Sequence, residues 1–299
     1  MKNEITNINP LCDFGFKRIF GTEENKPLLM AFLNTIVSSD TGVITDLQYL
    51  PQEQIGNHEF EKDVIFDIYC TNSQGDHFII EMQRSKQHFF ANRVITYMSR
   101  VISKMLPQGD RRYGIPKVYS INILDFQPDM FPEKEKYVWK VMLKDDSNRI
   151  FSDRMLLYFF KLSNFAAQTT EKRQCFENEL EKWLYYLKNI QNMDEQDYQN
   201  EHDPVFRQLL KQCSYSNLND MEQEEYKKSL LDYEGIRDAV ACAREDGIAE
   251  GIEKGMEKGV EKGIQQVALQ MLSIGLDIST VAKATGLPES EIKELEVRN

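Results

Sequence analysis

The sequence predicts an α/β domain followed by a helical C-terminal extension, and three observations carry that reading. Short apolar runs rich in β-branched and aromatic residues alternate with helical segments from Asp13 to Leu162. From Glu171 the apolar residues Phe176, Leu180, Trp183, Leu184 and Leu187 fall at helical spacing, and helical segments continue toward Arg244. Gly247, Gly251, Gly255, Gly259 and Gly263 then recur every fourth residue, followed in turn by Ile248, Ile252, Met256, Val260 and Ile264.

Each element can be justified in order. Asp13 to Val37 reads as a helix, with Phe16, Ile19 and Phe20 as one apolar group and Leu28, Leu29, Phe32, Leu33 and Ile36 as the next, interrupted at Pro27. Val43 to Leu50 reads as a strand, and Asp63 to Gln83 as a hairpin. His88 to Met105 is a helix with Val94, Tyr97, Met98, Val101 and Met105 near one side and Arg93, Arg100 and Lys104 on a second face; Pro107 and Gly109 end it. Lys117 to Phe126, Lys136 to Leu143 and Met155 to Leu162 are further strands. The core order is therefore helix, strand, strand, strand, helix, strand. The expected boundaries are an α/β domain over 1–165, a helical region over 166–246 that packs on it or forms a small lobe, the glycine repeat over 247–266, and a helical hairpin over 267–299.

Two readings of the repeat stand side by side. Glycine costs about 1 kcal/mol per helical position relative to alanine, so a helix here needs a compensating contact, such as close approach of a second copy in a homodimer. A partly frayed linker needs none. The tail has a helix to Ile274, then Gly275, a helix from Ser279 to Ala284, Gly286 with Pro288, and a third helix from Glu289. Leu269, Leu272, Ile278, Val281, Ala282, Leu287, Ile292 and Leu295 would form its core. That arrangement resembles a helix-turn-helix, but the segment Pro288 to Glu294 is acidic, which favours a packing module over a reader of DNA.

Composition narrows the class. At 299 residues with 41% hydrophobic and 28% charged residues, the chain can bury a substantial core. No run approaches the roughly 18 apolar residues of a membrane span, and Met1 to Phe14 lacks a signal-peptide apolar core. A cytoplasmic protein without a membrane partner is expected. Cys12, Cys70, Cys175, Cys213 and Cys242 are scattered, with no C-x-x-C, which argues against structural zinc and a disulfide framework. His58, His77, His88 and His202 form no ligand spacing, although His77 shares a strand face with Glu81. Phosphate-loop, G-x-S-x-G and H-E-x-x-H motifs are absent from the sequence. The net charge of -12 argues against non-specific coating of nucleic acid. From Arg84 to Lys117, however, eight Lys and Arg residues stand against the single acid Asp110, a local balance of +7.

The hairpin immediately before that stretch carries the chemistry. Each of its strands has one acid inside an apolar run. By alternation Asp63, Asp67 and Tyr69 share a face with Ile65, and Glu81 and Gln83 share one with Ile79. The reverse faces, Val64/Phe66/Ile68/Cys70 and Phe78/Ile80/Met82, are wholly apolar. An antiparallel pairing with Asp67 opposite Glu81 puts Thr71 opposite His77 and leaves Asn72 to Asp76 as the loop. On spacing alone, two acids facing solvent from a one-sided sheet is the ordinary explanation. If the sheet is half-buried, like charges and desolvation raise both pKa values, and a divalent cation removes the problem. Carboxylates suit Mg²⁺, which takes one or two of them and completes its shell with water and phosphate. That chemistry points to metal-assisted phosphodiester cleavage.

Together, the run Asp13-Phe14-Gly15-Phe16-Lys17-Arg18-Ile19-Phe20-Gly21, the blocks Asp63 to Cys70 and Phe78 to Gln83, the segment from Phe89-Phe90 to Tyr97 and the glycine-every-four tail resemble the Rpn family of recombination-promoting nucleases and transposase-like proteins, within the PD-(D/E)xK nuclease superfamily. The resemblance covers most of the chain. It implies a restriction-endonuclease-like α-β-β-β-α-β core and a Mg²⁺-dependent endonuclease acting on double-stranded DNA, with Mn²⁺ as the alternative ion, in recombination or element mobility. Residue by residue, it implies that Asp67 and Glu81 hold the metal, that Gln83 stands where the superfamily usually has lysine, and that Phe66 replaces the motif proline. Gln83 can hydrogen-bond water or phosphate but brings no positive charge. Asp13 either sits near the metal site or caps the first helix. Lys17, Arg84, Lys86, Arg93, Tyr97, Arg100 and Lys104 are the DNA-contact candidates, Tyr97 being equally readable as a core aromatic. The alternatives are a nuclease-fold accessory protein with an inactive E-x-Q site and an oligomeric interaction protein organised by the repeat. RNase H-type transposases do not place their acids on one short hairpin after an N-terminal helix.

Overall fold

The computed structural model describes residues 5–54, 64–86, 89–105, 114–126, 128, 130–133, 135–165 and 176–297. His58, Asp63, His88, Pro107, Gly109, Asp110, Arg111, Arg112, Glu171 and Cys175, all used in the sequence reading, lie outside the described residues.

The first helical stretch is two helices, α1 (Asp13–Phe20) and α2 (Lys26–Thr41). The side chain of Cys12 caps α1 by accepting from the N–H of Gly15 at 3.3 Å. Pro27 sits in the first turn of α2, where its missing N–H costs nothing. Strands β1 (Leu47–Tyr49), β2 (Glu53–Gln54), β3 (Val64–Ile65), β4 (Ile68–Asn72) and β5 (His77–Gln83) follow, then α3 (Phe90–Met105), β6 (Val118–Leu124), β7 (Val138–Lys144) and β8 (Ile150–Lys161). Six of these strands form one mixed sheet in the order β1-β4-β5-β6-β8-β7. The β5–β6 and β6–β8 pairs are parallel, and the rest are antiparallel.

The hairpin register matches the sequence expectation: Thr71 pairs with His77, Tyr69 with Ile79 and Ile68 with Ile80. The first hairpin strand, however, is not continuous from Val64 to Cys70. It breaks at Phe66 and Asp67, and β3 pairs instead with β2 as a separate two-stranded ribbon. Gln52 holds the break from both sides, its carbonyl accepting from Phe66 N–H at 3.0 Å and its amide donating to the Asp67 carbonyl at 2.6 Å. The break moves Phe66 to the opposite face from the one alternation assigns. It packs with Tyr69, Ile79, Met98 and Val101 rather than with Ile68 and Ile80.

Neither face of the hairpin is open to solvent. Ile68, Cys70, Phe78, Ile80 and Met82 join the main core with α1 and α2, and α3 covers the other face through Met98 and Val101. This double cover explains why β5 is apolar except at Glu81 and Gln83 beyond its first residue. Helices α4 (Leu162–Phe165), α5 (Glu179–Asn189), α6 (Glu195–Asn200) and α7 (Pro204–Cys213) lead into α8 (Asp220–Ser273). Trp183, Leu184, Phe206 and Tyr226 belong to the same core as the sheet, so this region packs on the α/β domain and is not a separate lobe.

The chain divides into compact units over Met1–Arg237 and Asp238–Asn299. In the second unit all five repeat glycines lie within α8. A Cβ built on any of the five would meet no heavy atom within 4 Å, and Ile248, Ile252, Met256 and Val260 are exposed beside them. Helices α9 (Ile278–Thr285) and α10 (Glu289–Val297) follow, with Asp277 as N-cap of α9 and Gly286 in the left-handed region at φ 75° after it. Ala268, Val281 and Ile292 form the small core, with Met271, Leu272, Ile278, Ala282, Leu287 and Leu295 around them. Leu269 is not among them; the inward stripe of α8 falls on Ala268 and Met271 instead. No helix among the described residues is long and apolar enough to cross a membrane.

Candidate active site

Asp67 and Glu81 meet at the open end of the β4–β5 ladder, one position beyond the Ile68–Ile80 pair. The two acids are tied through each other's backbone neighbourhood. Asp67 Oδ2 accepts from the N–H of Met82 at 2.7 Å, and the N–H of Asp67 donates to Glu81 Oε1 at 3.3 Å. The interruption of the strand at Phe66–Asp67 is what frees these groups from the regular ladder. Glu81 is only 4% exposed and Gln83 7%. The Gln83 amide donates to Glu81 Oε2 at 3.4 Å.

Burial is the main electrostatic fact here. Desolvation pushes the Asp67 carboxyl above the usual carboxylate range, opposed by the Met82 N–H; the charge of Asp13 adds to the rise while Lys17 and Arg84 offset it. Desolvation and then the Asp67 charge push Glu81 up to about 8, against the Asp67 N–H, Arg93 and Lys17. Two carboxyls so placed form an all-oxygen donor pair that burial and mutual repulsion hold toward the protonated form, and a hard divalent cation would stabilise their ionised form. Among the described residues no group of three or more His, Cys, Asp or Glu side chains could hold a metal ion. A cation at Asp67 and Glu81 would therefore draw on backbone, water or substrate for its other ligands, as Mg²⁺ commonly does.

Asp13 is not the cap of α1, since Cys12 fills that role. It forms an ion pair with Lys17 at 3.1 Å and lies 3.8 Å from Arg84, within electrostatic reach of Asp67. Arg93 lies against the rings of Phe90 and Tyr97, at 5.6 and 5.7 Å from their centroids. Tyr97 packs edge-on to Phe66 and feels the Glu81 charge, so it is both a core aromatic and a neighbour of the site. Asp13, Lys17, Asp67, Glu81, Gln83, Arg84, Arg93 and Tyr97 thus converge. Lys86 lies in the turn after β5, and Arg100 and Lys104 lie farther along α3, about 10 and 16 Å from Arg93 at 1.5 Å per residue. A cavity of about 680 Å³ is lined by Asp13, Lys17, Gln52 and Arg84 together with Glu222, Lys228 and Asp232 of α8; neither Asp67 nor Glu81 is part of its lining.

Asn122 was not singled out by sequence. It pairs directly with Glu81 across β5–β6 and is 0% exposed. Its signal is present in Val118-Tyr-Ser-Ile-Asn-Ile-Leu124, where Ser120 and Asn122 put polar groups at alternate positions of an otherwise buried strand. Gln52 was also missed, because its role depends on a contact with a chain break.

Comparison with known proteins bears on both units. Residues 262–297 match the C-terminal helix-turn-helix domain of the Rpn/YhgA-like nuclease family, which replaces the packing-module reading of the tail. Neither the curated proteins nor the solved structures give a match. A match over residues 10–241 takes in Asp67 and Glu81 together with α1 and α3, and on that extent the chain belongs to the PD-(D/E)XK nuclease family transposases, ending in a helix-turn-helix domain of the Rpn/YhgA-like kind.

Proposed function

We propose that this protein is a divalent-cation-dependent endonuclease that hydrolyses phosphodiester bonds in double-stranded DNA, with breaks that feed recombination or element mobility. The observation that carries the reading is the meeting of two desolvated carboxyls, Asp67 just before β4 and Glu81 on β5, within electrostatic reach of Lys17, Arg84 and Arg93. Asp67 and Glu81 would hold Mg²⁺ or Mn²⁺, which supplies Lewis-acid polarisation of the phosphate and a lowered pKa for the attacking water. Gln83 orients that water or a phosphate oxygen by hydrogen bonding. Lys17, Arg84 and Arg93 attract the DNA backbone, joined farther out by Lys86, Arg100 and Lys104. Tyr97 holds Arg93 in place, and Asp13 sets the position of Lys17 and Arg84.

Cleavage of supercoiled plasmid with Mg²⁺ or with chelator tests this. The wild type is expected to nick or linearise DNA only with the cation, and Asp67→Asn and Glu81→Gln are expected to abolish the activity while remaining folded, with Glu81→Gln melting no lower than the wild type in chelator. Full activity in either variant sinks the assignment. Gln83 motivates a second reading, a nuclease-fold DNA-binding accessory protein without cleavage; cation and DNA binding with no cut product would favour it. The exposed row Ile248, Ile252, Met256 and Val260 supports self-association through the repeat. Measuring solution mass before and after deletion of 247–299 tests that part.

A further inference from the structure

Asn122 is wholly buried, and its amide is only half satisfied. Nδ2 donates to Ser120 Oγ at 2.9 Å and to the carbonyl of Tyr158 at 3.3 Å, whereas Oδ1 has no hydrogen-bond partner among the described residues. The bond to the Tyr158 carbonyl fixes the orientation of the amide, since a flipped group would set oxygen against that carbonyl. Asn122 is the direct register partner of Glu81, so the two side chains leave the same face of the sheet from strands about 4.8 Å apart. Buried polar atoms in native proteins are nearly always paired, and one that is not calls for a ligand or an ordered water. Ser120, one step down the same face, is buried as well and serves the amide as acceptor.

Resting on the cation site proposed above, we propose that Asn122 is a positioning residue: its Oδ1 accepts a hydrogen bond from water in the hydration shell of the cation that Asp67 and Glu81 would hold. An outer-shell acceptor of this kind orients the bound water and restricts the coordination geometry. Asn at this position supplies the acceptor without a third charge beside Glu81, and the Nδ2 bonds make it rigid. The inference concerns cation binding first and turnover second.

Calorimetric titration of the full chain with Mn²⁺, together with melting temperature in chelator, provides the test. Asn122→Leu is expected to weaken Mn²⁺ binding about tenfold or more, while its melting temperature in chelator reports separately the balance between removing an unpaired buried oxygen and taking the Nδ2 donor from Ser120 and the Tyr158 carbonyl. Ser120→Ala takes away only the acceptor of Nδ2 and is expected to bind Mn²⁺ within about twofold of wild type, below the range that loss of an outer-shell partner produces. Should Asn122→Leu fail to fold, Asn122→Ala removes the same acceptor with less steric demand and is expected to show the same loss of Mn²⁺ affinity; binding as tight as wild type would overturn the inference. Unchanged affinity in Asn122→Leu, or an equal loss in Ser120→Ala, would also overturn it. Failure of the wild type itself to bind Mn²⁺ would instead sink the cation site, so the two failures are distinguishable.

Discussion

Asp67 accepts the backbone N–H of Met82 at 2.7 Å, so a side chain from one strand closes the hydrogen-bond ladder of the next where the chain has broken from its own strand. The same carboxylate therefore has a structural partner and a proposed ligand. Asparagine preserves the acceptor and alanine does not. Asp67→Asn is expected to melt close to wild type and to lose cation binding. Asp67→Ala is expected to cost a further 1–3 kcal/mol or so in urea unfolding, since the Met82 N–H is left unpaired. Equal stability of the two variants would argue against the capping role.

The carboxyl pair gives the cation-free protein a pH dependence of defined sign. Glu81, raised from its ordinary 4.5 to about 8 by burial and by Asp67, binds its proton more tightly folded than unfolded. Its contribution is fully present below about pH 4.5 and is lost as pH rises toward about 8, because the folded state holds more protons across that window. Asp67 titrates with it as a pair. The urea midpoint in chelator is expected to fall across this range, and Glu81→Gln or saturating Mg²⁺ is expected to flatten the decline. A midpoint that instead rises from pH 5 to 8, with the rise abolished by Glu81→Gln, would contradict the burial argument.

Gln83 can be separated from the cation by chemistry. Gln83→Leu removes a donor beside Glu81 and is expected to lower single-turnover cleavage by about 10²–10³-fold, with Mn²⁺ affinity little changed. Gln83→Lys, which restores the usual superfamily residue, is expected to retain cleavage. Undiminished cleavage by Gln83→Leu would remove Gln83 from the mechanism.

Two glycines are expected to respond oppositely to alanine. A Cβ on Gly15 would lie 2.0 Å from the carbonyl oxygen of Asn9, so Gly15→Ala must displace α1 or the preceding turn and is expected to cost about 1–3 kcal/mol. A Cβ on Gly255 meets nothing within 4 Å, so Gly255→Ala is expected to stabilise the helix by up to about 1 kcal/mol. Thermal unfolding of both variants checks this. Destabilisation by Gly255→Ala would mean that another molecule packs against that position.

Particular residues show what alternation and spacing could and could not reach. The Thr71–His77 register was legible because turn length and the two apolar faces together admit one pairing. The break at Phe66–Asp67 was not, because the groups that hold it belong to Gln52, fifteen residues from Asp67 in the chain. Solvation of the acids was the ordinary expectation on spacing, and it failed because α3 covers that face through a tertiary contact. The split of the first helix followed from Pro27, whereas the role of Cys12 as its cap left no sequence signal beyond position. Asn122 was legible in principle from the polar alternation of its strand, but its relation to Glu81 needs the parallel β5–β6 pairing.

The central claim is that Asp67 and Glu81 together form a cation site. Calorimetric titration of the wild type, Asp67→Asn and Glu81→Gln with Mn²⁺ at neutral pH addresses it most directly. The expected result is saturable binding by the wild type and none by either variant, with all three folded. Wild-type affinity in Glu81→Gln, or no binding by the wild type, would contradict it.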